Sequence, residues 1–169
     1  MAPLYYHGNV QPPRSVAEIV KEAEDYDHKG EYPLRIALRA AQSIRNQAAN
    51  YERDGNVQDA YLFYYRHISF YQAQIHKHPE VKKPEYKQAL ARIRQEFKDD
   101  IARLEALKPE VNKQYERYQE ALRRREESRT KVRQERESHI ESQRISARNS
   151  LDGTDGTRYE HSAGYGGRK

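Results

Sequence analysis

The sequence predicts an all-α protein: an antiparallel bundle of three helices, extended by one or two long helices that double back along it. Two observations predict this fold class. Apolar residues recur every three or four positions through most of the 169 residues, which is the helical period. Charged residues make up 34% of the chain and hydrophobic residues 36%, with a mean hydropathy of -1.22. This small amount of apolar surface can fill only a thin core, which favours long, partly exposed helices.

A tight turn between two helices is predicted in the middle of the bundle. Ala48 and Tyr51 close one apolar stripe, and the Asp-Gly pair that follows lets Gly55 adopt a positive φ. Asn56 is suited to cap the next helix, and the small Ala60 lets the two helices approach closely. This pattern predicts an αα-hairpin, a unit that binds other proteins and performs no chemistry of its own.

The first two helices follow an extended leader. Residues 1–14 contain three prolines and no periodicity, so they are predicted to be a disordered leader. Ser15 and Glu18 form a capping box at the start of a first helix of three to four turns, predicted to end near residues 28–30. Pro33 stands where the second helix tolerates it, in its first turn.

The third helix is predicted to end at His78, because the residue before Pro79 is driven out of the α conformation. Pro84 opens a fourth helix, and Pro109 is either the first residue of a fifth helix or a kink in one long helix. The apolar stripe predicted for this fourth helix has the following members: Tyr86, Leu90, Ile93, Phe97, Ile101 and Leu104.

The C-terminal part of the chain changes in composition twice. Residues 123–148 carry many charges and few apolar side chains, so they are predicted to form a solvated helix stabilised by Glu/Arg pairs. Residues 149–169 are rich in Gly, Ser, Thr and Asp, and they are predicted to be a disordered tail.

A resemblance to a known family is carried by three segments in the right order. They read YPLRIALRAAQSIRNQAANYERDGNVQDAYLFYYRHISF, then KHPEVKKPEYKQAL, then LEALKPEVNKQYERYQ. Together they resemble the N-terminal MIT-like domain of the AMSH-type endosomal deubiquitinases, called the dimerisation domain in a ubiquitin-specific protease of the endosome. The likeness covers roughly 13–125, and it places this helical domain at residues 15–122.

The resemblance implies a non-catalytic interaction module of the endosomal ubiquitin and ESCRT pathway. Its implied partners are ESCRT-III subunit tails, a deubiquitinase that it recruits or regulates, and a second copy of itself. It implies a cytoplasmic protein recruited to endosomes, with membrane contact through partners alone. The chain also resembles a stand-alone relative, the regulator of free ubiquitin chains, which has this kind of domain and no protease.

The sequence is not expected to carry a catalytic zinc site. AMSH enzymes hold zinc with a His-x-His-Pro segment and a spaced Ser and Asp, while a Glu activates the metal-bound water. His76 and His78 match the first string, but Tyr86 and Ala89 stand near the positions of the Ser and Asp. We therefore interpret the histidines as the end of the third helix and expect no metal or cofactor. The alternative is an N-terminal fragment of an AMSH-type metalloprotease that lacks its catalytic domain.

Two candidate interaction surfaces follow from the helical patterns. Arg35, Arg39 and Gln42 lie opposite the apolar stripe of the second helix. They are either ordinary solvated residues or the edge of a groove between the second and third helices, in which an acidic partner helix docks.

The second candidate is a dimer surface formed by Phe63, Phe70 and Phe97, because these aromatic residues exceed what a three-helix core requires. The alternative is that the long helices fold back and cover them within one chain.

The charge balance gives little support for nucleic acid as a partner. The net charge is +5 and the pI about 9.3, yet Arg123, Arg124 and Arg125 are followed at once by Glu126 and Glu127. Interleaved signs favour a solvated helix, so nucleic acid is not expected. A basic coiled coil that binds RNA or membrane remains a third alternative.

Overall fold

The computed structural model describes residues 11–25 and 32–152, and every element among them is a helix or a helical turn. The helices are α1 (Val16–Glu24), α2 (Leu34–Arg53), α3 (Val57–Phe70) and α4 (Lys87–Asp152). A π-helical turn, Tyr71–Ile75, continues α3, and two 3₁₀ turns, Pro79–Lys82 and Pro84–Tyr86, lead into α4. The prediction of an all-α fold is confirmed for this part of the chain.

Helix α1 begins at the predicted capping box and ends earlier than predicted. The backbone N–H of Glu18 donates to Ser15 Oγ (3.2 Å), and the N–H of Ser15 donates to Glu18 Oε2 (2.7 Å). The helix ends at Glu24, with Asp25 as its C-cap. Carboxylates near a helix C-terminus oppose the helix dipole, which favours this early end. Residues 28–30 lie outside the described range.

The predicted hairpin between α2 and α3 is confirmed. Gly55 has φ +77°, its N–H donates to the carbonyl of Glu52, and the N–H of Asn56 donates to the carbonyl of Tyr51. These two bonds form a Schellman motif, which satisfies carbonyls at the end of α2. The Asn56 side chain then accepts from the N–H of Asp59 and caps α3.

The end of α3 is less regular than the sequence indicates. The α-helix ends at Phe70, and the π turn that follows brings Tyr71 and Ile75 into the core. His78 has the extended backbone (ψ 137°) expected before a proline, so the helical segment does stop there.

Helix α4 passes through Pro109 without interruption, so the prolyl residue lies inside one long helix. The helix also runs beyond 148, where the sequence predicts the tail to begin, and ends at Asp152. The remainder of the predicted tail lies outside the described residues. Every residue from 121 to 150 is exposed, whereas 87–120 contribute buried side chains at helical spacing.

Contacts divide the chain into two units, 1–120 and 121–169. The first unit contains two core clusters. One joins all four helices, and its buried members are as follows: Ile19, Ala23, Ala48, Ala60, Tyr61, Leu62, Tyr64, Leu104 and Val111. The other joins α2, the end of α3, the π turn and the start of α4: Leu34, Ala37, Ala41, Phe70, Tyr71, Ile75, Leu90 and Ile93.

Candidate protein-interaction surfaces

A buried polar network fixes the relative positions of α2, α3 and α4. Asp100 on α4 is fully buried; its Oδ2 lies 2.6 Å from His67 Nδ1 on α3, and its Oδ1 accepts from Arg45 Nε on α2 (3.0 Å). A carboxylate with no exposure needs such partners, because an isolated buried charge is very costly. Each helix supplies one member, so the network specifies how the three helices pack.

The apolar periodicity did not indicate this network, and it placed the wrong residue in the α4 stripe. The pattern includes Ile101 in the buried face, but Ile101 is 43% exposed and Asp100 is buried in its place. The spacing could have indicated that Asp100 lies on the buried face, because Asp100 lies three residues after Phe97 and four before Leu104.

A second polar cluster ties α2 to α3 and α4 at the rim of the bundle. The hydroxyl of Tyr64 donates to Glu52 Oε2 (2.6 Å), and Arg103 Nη1 donates to both oxygens of the same carboxylate (2.8 and 2.9 Å). Burial, followed by the bond to Glu52, raises the pKa of Tyr64 well above its usual value.

The last residue of the predicted leader is anchored to the bundle. The backbone N–H of Arg14 donates to Gln58 Oε1 (2.9 Å), and its guanidinium pairs with Asp59 (2.6 Å) and Glu22. Burial alone lowers the pKa of Arg14, but the bonds to Asp59 and Glu22 outweigh it and raise that pKa. Arg14 therefore clamps α1 to α3.

The groove beside Gln42 lies between α2 and α4, not between α2 and α3 as predicted. It is a cavity of about 370 Å³ whose lining includes Leu38, Gln42, Arg92 and Glu96. Helices α2 and α3 leave little room for such a groove, because they join in a tight hairpin and pack through buried alanines.

The candidate partner-binding residues lie along one face of α2, and of the three only Gln42 lines this groove. Arg35 and Arg39 are exposed, and the Gln42 side chain donates to Asn46 Oδ1 (2.9 Å). Their spacing of four and three residues places all three on the same helix face.

The structure does not bring the three candidate phenylalanines onto one exposed surface. Phe70 is 6% exposed and belongs to the second core cluster, and Phe97 packs on Tyr71 with ring centroids 4.8 Å apart. Phe63 lies beside the first core cluster, 5.3 Å from the ring of Tyr51. Phe70 is thus covered within the chain, whereas Phe63 and Phe97 stay partly exposed.

The His-x-His-Pro string has a structural role. His78 Nδ1 accepts from the N–H of Glu80 (3.2 Å), and Nε2 lies 2.8 Å from the carbonyl of Tyr32. His76 is exposed and packs beside Tyr71. Over the described residues, no three metal-ligating side chains come together.

These features define a class: an all-helical domain held by a polar network, which presents its polar groups at helix faces and grooves suited to protein contacts. The chain belongs to the family of the USP8 dimerisation domain, whose model matches residues 8–118. This region coincides with most of the first unit.

Three relatives are similar to this chain. The AMSH-like protease sst2 of Schizosaccharomyces pombe is 28% identical over 109 residues, covering 64% of this chain and 24% of that protein. The STAM-binding protein of Mus musculus is 27% identical over 130 residues, 72% of this chain and 30% of that protein. The regulator of free ubiquitin chains 1 of Candida glabrata is 24% identical over 122 residues, 64% of this chain and 59% of that protein.

The chain therefore spans between a quarter and three fifths of the length of these relatives. The resemblance to the AMSH-type deubiquitinases and to the regulator of free ubiquitin chains is confirmed, and it places the chain among relatives of ubiquitin-pathway proteins. Within residues 11–25 and 32–152, no helix is both long enough and apolar enough to cross a bilayer.

Proposed function

We propose that this chain is a non-catalytic, self-associating interaction module of the endosomal ubiquitin and ESCRT pathway. The observation that carries the proposal is the dimerisation-domain match over 8–118, on a helical unit whose buried polar groups serve packing. In this role the chain recruits or regulates a deubiquitinase, works in the cytoplasm and reaches endosomes through its partners. We expect no hydrolysis of lysine-linked diubiquitin by the purified chain, with or without added zinc.

Self-association is proposed to use the partly exposed aromatic residues of the first unit. Sedimentation equilibrium of the full chain at tens of micromolar should give a mass near twice 20.0 kDa. Phe63→Ser and Phe97→Ser should shift this equilibrium toward the monomer. Tyr32→Ser is the matched control, because Tyr32 is an aromatic residue that is 49% exposed and lies outside the proposed surface. A single species near 20.0 kDa for the unchanged protein would rule out the dimer.

ESCRT-III tails are the proposed ligands of the α2 face. Arg35 and Arg39 stand one helical turn apart and are exposed, so acidic side chains of a docked helix can pair with both. Exposed pairs contribute about 0.2–1 kcal/mol each, so Arg35→Glu with Arg39→Glu should weaken binding of a synthetic ESCRT-III tail peptide about tenfold.

The control for this experiment carries the same change of charge elsewhere. Arg53 and Arg94 are exposed, one at the end of α2 and the other on α4. Arg53→Glu with Arg94→Glu should leave the affinity measured by calorimetry nearly unchanged. Equal weakening by both double variants would reduce the effect to net charge and refute the α2 face as the site.

A further inference from the structure

The second unit carries a stripe of arginines that lies outside the family match. On α4, Leu122, Arg125, Arg129, Val132 and Arg136 follow one another at alternating spacings of three and four residues. That spacing places them on a single helix face, as in the seam of a coiled coil. A shallow groove of about 490 Å³ follows the central part of this face.

The positive charge of the stripe is incompletely neutralised by its own helix. Arg129 pairs with Glu126 (3.7 Å), and the neighbouring Arg133 pairs with Glu137 (2.9 Å). Arg125 and Arg136 make no ion pair among the residues that the structure describes. Their guanidinium groups are therefore available for a partner's carboxylates.

A second copy of the chain does not fit this face. In a two-fold pairing of α4 with itself, each of Arg125, Arg129 and Arg136 would occupy a seam position and face the arginines of the other copy. Like charges brought together at a desolvated seam are strongly unfavourable. Self-association through the first unit is unaffected by this repulsion.

The aliphatic side chains favour a protein over other anionic partners. Leu122 and Val132, 42% and 47% exposed, share the stripe with the arginines, and Ile140 extends the same side of the helix. Aliphatic groups contribute little to binding a phosphate backbone, and three scattered aliphatic residues are too few to insert into a bilayer. A helix with its own aliphatic seam and acidic seam residues matches both features.

We propose that residues 122–140 of α4 form a docking face for an acidic amphipathic helix of a different protein. The partner places carboxylates against Arg125, Arg129 and Arg136 and aliphatic side chains against Leu122 and Val132. Bidentate pairing between guanidinium and carboxylate sets the register of the two helices.

A charge-swapped peptide tests the proposal directly. The probe is a synthetic peptide of residues 118–147 that carries Arg125→Glu, Arg129→Glu and Arg136→Glu, so that it presents acids at the same seam. The full-length chain should bind it in fluorescence anisotropy, and the unmodified peptide should bind at least about tenfold more weakly. Tighter binding of the unmodified peptide would show that the face pairs with its own copy and would overturn the proposal.

Two variants of the full-length chain complete the test. The triple variant Arg125→Glu, Arg129→Glu and Arg136→Glu should lose at least about tenfold in affinity for the acidic peptide. The control changes three basic residues on the remaining helix surface: Arg123→Glu, Lys131→Glu and Arg148→Glu. It alters the net charge equally but leaves the stripe unchanged, so it should change the affinity by less than about threefold.

Three further results would overturn the proposal. They are an equal loss in the control, no binding of the acidic peptide, and stripe-dependent binding to phosphatidylserine vesicles or to oligouridylate that is tighter than binding to the peptide. Circular dichroism shows whether each variant stays helical. Because the stripe lies outside residues 8–118, a monomeric first unit would leave this result intact, so the two proposals fail separately.

Discussion

Replacing Asp100 by alanine is the most incisive test of the packing described above. The side chain is fully buried and serves two cationic or potentially cationic partners, Arg45 and His67, on two other helices. In Asp100→Ala, Arg45 loses its buried carboxylate partner and His67 Nδ1 faces a cavity. Helices α2 and α3 therefore both lose their contact with this buried carboxylate at once.

The size of the effect follows from the two contacts. Hydrogen bonds to charged groups contribute about 1.5–3 kcal/mol each, and removing one partner of a buried pair costs about 3–5 kcal/mol. We expect Asp100→Ala to lower the free energy of unfolding by about 3–5 kcal/mol, a large part of the 5–15 kcal/mol typical of a domain. Asp100→Asn keeps the shape and one acceptor oxygen, so its loss should be smaller.

Urea denaturation followed by tyrosine fluorescence measures this loss, since the chain has 14 tyrosines and no tryptophan. The matched control is Asp99→Ala. Asp99 is the exposed neighbour of Asp100, and its side chain accepts a hydrogen bond from Gln95 (2.9 Å). Its change should stay within about 0.5 kcal/mol. A loss below about 1 kcal/mol for Asp100→Ala would refute the view that the buried network holds the three helices together.

Two further predictions concern the hairpin and its rim. Gly55→Val should lower the free energy of unfolding by about 1–2 kcal/mol, and Gly55→Asn should lower it by less. Nothing lies within 4 Å of an added Cβ, so the cost is backbone strain at φ +77° alone. A Gly55→Val variant that melts at the same temperature as the unchanged protein would contradict this prediction. Because the pKa of Tyr64 is raised, its contribution to stability is complete below about pH 10 and is lost as the pH rises further. The free energy of unfolding, measured by urea titration at increasing pH, should therefore fall in alkali. Tyr64→Phe should make that fall smaller.

The sequence determined the ends of several elements because the signals are local. The capping box at Ser15, the positive φ of Gly55, the cap at Asn56 and the stop before Pro79 each depend on bonds between residues a few positions apart. A backbone group near a helix end must find its partner close by in the chain, and the side chain that supplies it can be read directly.

The tertiary structure decided which faces of those helices are buried. Asp100 is turned inward by His67 and Arg45, which are 33 and 55 positions away in the chain. The same long-range contacts place the groove beside Gln42 against α4 instead of α3. Periodicity alone gives a helix several adjacent faces of similar polarity, and the choice among them depends on partners that are distant in the chain and meet only in the folded protein.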